Sequence, residues 1–255
     1  MMKEELKHRL MNLADTYETA DFLKDDPAQF MHRFSLPSDV EIMAFIAATL
    51  AFGQRPKILE KLEYICSLVG SSPTRWIVEK QYEESFPLSD KKFYRFYSYA
   101  DVRHFLYLIN RLVSEYGAIG EYARKKFLEG KHPLDALVEA FSDCPSTKYL
   151  IPKDTHSCCK RVNMFLRWMV RDNSPVDMGL WTWMDKSRLI IPVDTHVMQQ
   201  ALYLHLVDKE GSTLSKAKEI TDALKGIWHD DPCKGDFALF GWGVKHDKEV
   251  KSSQN

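Results

Sequence analysis

The run Ile190-Ile191-Pro192-Val193-Asp194-Thr195-His196-Val197 decides whether the chain is all-helical or mixed. Its first half is apolar and β-branched, a strand signal, and such signals are few in this sequence. It is short, and Pro192 removes a ladder donor. Its second half reads as the start of a helix. Asp194 is a favoured N-cap, and Val197, Ala201 and Leu204 then fall on one face. The capping carboxylate sits where the free backbone N–H groups of the first turn donate to it. On its own that is a structural role, and two further segments point beyond it.

The rest of the chain has a helical period almost throughout. Ser38-Asp39-Val40-Glu41 has capping-box spacing, followed by Ile42, Phe45, Ile46, Thr49 and Leu50 on one face. Ala44, Ala47, Ala48 and Ala51 are small and suit close packing on the other. Gly53 ends or bends that helix. The same period recurs over 101–116, 159–171 and 216–228, and a short aromatic-rich helix is expected over 236–244. Pro145–His156 and Asp172–Lys186 read as loops, the second carrying Trp181 and Trp183 and so expected to pack on the core or line a cleft. The fold class is all-α. One helical domain is expected over 1–244, with Lys245–Asn255 a disordered tail by composition.

The chain has 255 residues, 45% of them apolar, and a formal net charge of -1. That charge argues against a binder that relies on summed positive charge, without excluding a local basic face. The five cysteines form no C-x-x-C pair, and His and Cys show no ligand spacing, so no metal is expected. The first ten residues are too charged for a secretory leader, and no apolar run approaches membrane-spanning length. A reduced, cytoplasmic, monomeric protein is expected.

The second telling segment is Lys160–Arg171. On a helix Lys160, Met164, Arg167 and Arg171 share one stripe, either a solvated face or a phosphate-binding edge. The third is Leu50-Ala51-Phe52-Gly53-Gln54-Arg55-Pro56-Lys57, where an amide and two cations follow a helix end. Its simpler reading is a C-cap and a charged turn.

Together these segments resemble the helix-hairpin-helix DNA glycosylase superfamily, of which endonuclease III is a member. Residues 41–57 are similar to the family's helix ending in a glutamine that probes the DNA stack, here Gln54. Lys160 with Val162, Asn163 and Leu166 resembles K-x-A-N-x-x-L, which opens with the catalytic lysine. Val193-Asp194-Thr195-His196 matches V-D-T-H, which carries the catalytic aspartate. Asp236-Phe237-Ala238-Leu239-Phe240-Gly241 resembles a following glycine-containing helix. The order is preserved from Glu41 to Val244. The chain also resembles an uncharacterised bacterial family whose hallmark is the F-L-R-W-M-V-R stretch at 165–171.

The departures matter. The family's L-P-G-V-G hairpin is replaced by Pro152–Cys159, which has no glycine, so backbone N–H groups lose their close approach to a phosphate. Asp172–Lys186 looks inserted. Only Cys233 lies near the C-terminus, so the iron–sulfur cluster of endonuclease III is excluded by cysteine count and no cofactor is expected.

The resemblance implies a two-lobed helical bundle with a cleft between lobes. It implies base-excision repair of damaged double-stranded DNA, with a base flipped out of the duplex for N-glycosidic hydrolysis or lyase chemistry. Lys160 would attack the anomeric carbon as a neutral amine, and Asp194 would favour the developing positive charge and assist deprotonation. Gln54 would probe the gap. Arg55, Lys57, Arg161, Arg167 and Arg171 would contact phosphates, and Trp181 or Trp183 would stack on the extruded base, unless both are core. His196 and Asn163 would support the site. A DNA-binding protein of this fold without catalysis, and a helical interaction protein, are the alternatives.

Overall fold

The computed structural model describes residues 4–142 and 150–252. In chain order the α-helices are α1 (Glu4–Tyr17), α2 (Pro37–Leu50), α3 (Arg55–Val69), α4 (Pro73–Val78), α5 (Tyr82–Ser85), α6 (Tyr99–Tyr116), α7 (Ile119–Leu128), α8 (Pro133–Ser142), α9 (Lys160–Val170), α10 (Thr195–Tyr203), α11 (Leu214–Lys225) and α12 (Gly235–Ser252). Strands β1 (Lys92–Tyr94) and β2 (Tyr97–Ser98) form one antiparallel hairpin between α5 and α6. Among the described residues the chain is therefore all-α apart from that hairpin. No helix among the described residues is long and apolar enough to cross a membrane.

Two compact units divide the chain: one is Leu23–Thr155, the other joins Met1–Phe22 to His156–Asn255. In the first unit α2 is the central element, buried from Asp39 to Leu50. A helix apolar on every side belongs in the middle of a core. The capping box expected at Ser38–Glu41 does not form. Pro37 occupies the first turn and starts the helix earlier, since its missing N–H costs nothing there. The two acids at the start of α2 cap other helices instead. Asp39 accepts from the Thr74 N–H of α4 at 2.7 Å, and Glu41 accepts from the Gly120 N–H of α7 at 2.9 Å. Both are buried, and each satisfies orphan donors of a neighbouring helix. The capping box that does form is at α6, where Ser98 and Asp101 exchange hydrogen bonds.

In the second unit α12 packs on α1 and α10. α12 runs on to Ser252, where composition gives a disordered tail from Lys245. No glycine or proline interrupts the sequence after Gly243, and once nucleated a helix propagates at little cost. Residues 253–255 lie outside the described residues, as do 145–149 of the loop expected at Pro145–His156. Over 151–159 the backbone is irregular apart from one bridge, Ser157 to Thr213.

Candidate active site

Helix α9 begins at an unusual corner. Cys159 caps it with φ 47° and ψ 39°, a left-handed conformation rare outside glycine. The corner is tied down locally. Asn163, fully buried, donates from Nδ2 to the Cys158 carbonyl at 2.9 Å. The Cys158 N–H donates to the Ser212 carbonyl at 2.7 Å, and its thiol donates to the Val193 carbonyl at 3.3 Å. That last contact joins the corner to the residue before Asp194, and burial pushes the Cys158 thiol up from its ordinary value. Sequence spacing did not reveal this role of Cys158, because its partner is a backbone atom 35 residues away.

The corner delivers Lys160 to the first turn of α9. Asp194 caps α10, its Oδ1 accepting the Val197 N–H at 2.9 Å. Its Oδ2 lies 3.3 Å from Lys160 Nζ. The two side chains are 29% (Lys160) and 17% (Asp194) exposed, so the pair is partly desolvated and still open to a reactant. Asp194 thus uses one oxygen for the helix and the other for the amine. A primary amine held against a carboxylate can act as a nucleophile whose proton has an acceptor within reach. His196, in the first turn of α10, is half-buried with its ring 6.1 Å from that of Phe240.

Two of the expected phosphate contacts are corrected. Arg167 and Arg171 are only 4% and 2% exposed. Arg167 hydrogen-bonds Asp177 and Asp236, and Arg171 hydrogen-bonds Asp177 and holds Asp231 by Nε at 2.8 Å and Nη2 at 2.9 Å. Glu18 pairs with Arg171 at 2.9 Å without hydrogen-bond geometry. The Phe237 ring lies beneath both guanidiniums, 4.6 and 5.4 Å from their carbons. The stripe read from the helical period is real, but it faces buried acids. Burial works to lower the Arg171 value, and its hydrogen bonds to Asp231 with the charges of Asp177, Asp231 and Glu18 outweigh that and hold it raised. Burial pushes Asp177 up, and pushes Asp236 up to about 6 despite Arg167.

Trp181 is likewise core rather than a base-stacking wall: it is 2% exposed and meets Phe165 edge-on at 5.3 Å. Trp183 stacks on it at 5.2 Å and is half-buried. Arg161 is half-buried beside Lys160. The remaining candidates belong to the other unit. Gln54 is exposed and precedes α3 without a side-chain capping bond. Arg55 is half-buried, and Lys57 is exposed and pairs with Glu60 at 2.7 Å.

No curated protein and no solved structure matches the chain. The model of the family described as "Protein of unknown function (DUF2400)" matches residues 26–245, and the chain belongs to that family.

Proposed function

We propose that the protein is a DNA repair N-glycosylase that removes a damaged base through Lys160, with abasic-site lyase chemistry following from the same amine. The observation that carries this reading is the 3.3 Å approach of Lys160 Nζ to Asp194 Oδ2, at the first turn of one helix and the cap of another. The order of sequence features around the pair supports it, as does the division of an all-α chain into two compact units, which suits a two-lobed fold of the glycosylase type.

In this mechanism Lys160 gives up a proton, with Asp194 as the nearby acceptor. The neutral amine attacks the sugar's anomeric carbon. The N-glycosidic bond breaks, and its electron pair leaves with the base, which takes up the proton that Asp194 accepted and so returns Asp194 to its carboxylate. Opening of the sugar ring then gives an imine between Lys160 and the sugar. The Asp194 carboxylate favours the positive charge that develops on the sugar as the bond breaks.

Borohydride trapping tests the reading. Hydride reduces the imine to a stable amine, so the wild-type chain cross-links to duplexes carrying an abasic site or an oxidised guanine, and Lys160→Ala does not. If neither duplex traps the wild type, lysine-based chemistry is refuted. One observation favours a second reading, a DNA-binding protein without catalysis: the glycine-free stretch before α9 lacks the backbone approach that holds a phosphate. Affinity for DNA unaltered in Lys160→Ala, together with no base release, would select it.

A further inference from the structure

The hairpin between α5 and α6 carries a side-chain stack that the catalytic reading leaves unused. Phe96 is 70% exposed, against the general preference to bury so large an apolar ring. It is not loose. Its ring stacks on Phe52 at 6.1 Å with 30° between planes, and the Arg95 guanidinium lies 4.6 Å from the Phe52 ring and 5.5 Å from the Phe96 ring. One face of Phe96 is thus covered and the rest of the ring is left to solvent.

The assembly is built from two loops and is held by backbone features that cost energy. Arg95 has φ 51°, left-handed for a residue with a Cβ, and such strain concentrates at functional positions. Gly53 has φ 105°, and a Cβ there would collide with Arg95 and the Tyr94 hydroxyl. The glycine therefore makes room for Arg95 over Phe52, while the Tyr94 hydroxyl donates to the Phe52 carbonyl. Gln54 and Arg55 follow in the same stretch of chain.

The chemistry around the ring selects an occupant. The hairpin sequence Lys91-Lys92-Phe93-Tyr94-Arg95-Phe96-Tyr97-Ser98 contains three cations and no carboxylate. Among the described residues no carboxylate pairs with Arg95, Lys91 or Lys92, and both lysines are exposed. An open aromatic face with the Arg95 guanidinium beside it, on a hairpin that carries two further exposed cations, fits a flat base attached to a phosphate. Aromatic faces take any base by stacking, and cations track the backbone. A protein partner would call for a broader apolar patch than one ring.

We propose that the Phe52–Arg95–Phe96 stack is a platform for one unpaired base of DNA, with Arg95 beside its phosphate. This deepens the glycosylase reading and rests on its assignment of DNA as the substrate.

Fluorescence anisotropy of the full chain tests it, with a fully paired duplex and the same duplex carrying a one-base bulge. The wild type is expected to prefer the bulged duplex. Phe96→Ala should lose that preference, by about tenfold in affinity for a stacked base. Phe96→Trp should keep it, whereas Phe96→Leu, which retains bulk without the π face, should lose it. Leu128→Ala, at another exposed apolar side chain, should leave it unchanged. Phe96→Ala, folded by its unfolding curve, binding the bulge as tightly as wild type overturns the platform, and so does full retention in Phe96→Leu. Wild type that binds neither duplex refutes DNA as the substrate, and the glycosylase reading falls with the platform. Wild type that binds both with no preference sinks the platform alone.

Discussion

Asp194 divides its two oxygens between a backbone donor and an amine, and two substitutions separate those tasks. Asn at this position remains a good N-cap and loses the charge opposite Lys160. Asp194→Asn is therefore expected to cost at most about 1 kcal/mol of stability, the usual value of a part-exposed ion pair. It should nevertheless abolish adduct formation with abasic DNA. Asp194→Ala loses the cap as well, at about a further 1 kcal/mol. Thermal unfolding beside trapping checks this. An Asn variant that is markedly unstable, or one that still traps, would contradict the division of labour. Asp236 offers a second single-residue test. Burial raises it from an ordinary 3.8 to about 6, against the attraction of Arg167 and Lys160, with Asp194 and Asp177 adding repulsion. A carboxyl raised on folding contributes stability that is full below its unfolded value and lost as pH rises through its folded value. Four carboxyls (Glu18, Asp177, Asp231 and Asp236) share two guanidiniums here, and Cys233 lies in the same surroundings. Between about pH 4 and 7 the wild type should therefore lose stability relative to Asp236→Asn. Melting temperatures of both proteins across that range measure it, and a difference independent of pH would mean that Asp236 does not titrate there.

At the scale of elements, Gly241 shows why α12 carries a glycine in the middle of a helix. A Cβ at this position would run into the Tyr17 Cβ and ring, at the end of α1. Those atoms are near the backbone and cannot swing aside cheaply. Gly241→Ala is expected to destabilise by about 1–3 kcal/mol, although alanine is the better helix former. A variant as stable as wild type would show that α1 repositions freely. The elements also mark what sequence reveals. Helices α6 and α9 were legible from their apolar period and α10 from its cap as well, both local signals, and the Asp194 cap follows from its own neighbours. The direction of the Arg167–Arg171 stripe was not legible. Its acids come from the residue after α1, the segment after α9, the turn before α12 and α12 itself, and no periodicity in one helix reports such convergence. The hairpin was missed because strands of three and two residues are too short to show alternation. The misplaced capping box at Ser38 had the right residues, but Pro37 set the start of the helix before them.

For the molecule as a whole, a net charge of -1 means that any DNA affinity comes from a few placed cations. Burial reduces their number. Arg167 and Arg171 are consumed by internal acids and release no counterions on binding. Arg55 and Arg161 are half-buried, Lys57 is exposed beside Glu60, and the hairpin adds the exposed Arg95. Each phosphate neutralised on B-form DNA contributes about -0.9 to the slope of log affinity against log salt. Four contacts therefore give a slope of about -3.6, against about -5.4 if both buried arginines also took part. Binding titrations from low to moderate salt on one duplex measure the slope directly. Arg167→Lys and Arg171→Lys, where folded, should leave it unchanged, because these side chains are buried among internal acids. Lys57→Gln should reduce its magnitude by about one contact's worth. A slope near zero would remove the electrostatic basis for DNA binding by this protein. A slope steeper than about -5.4 would require basic residues beyond these six.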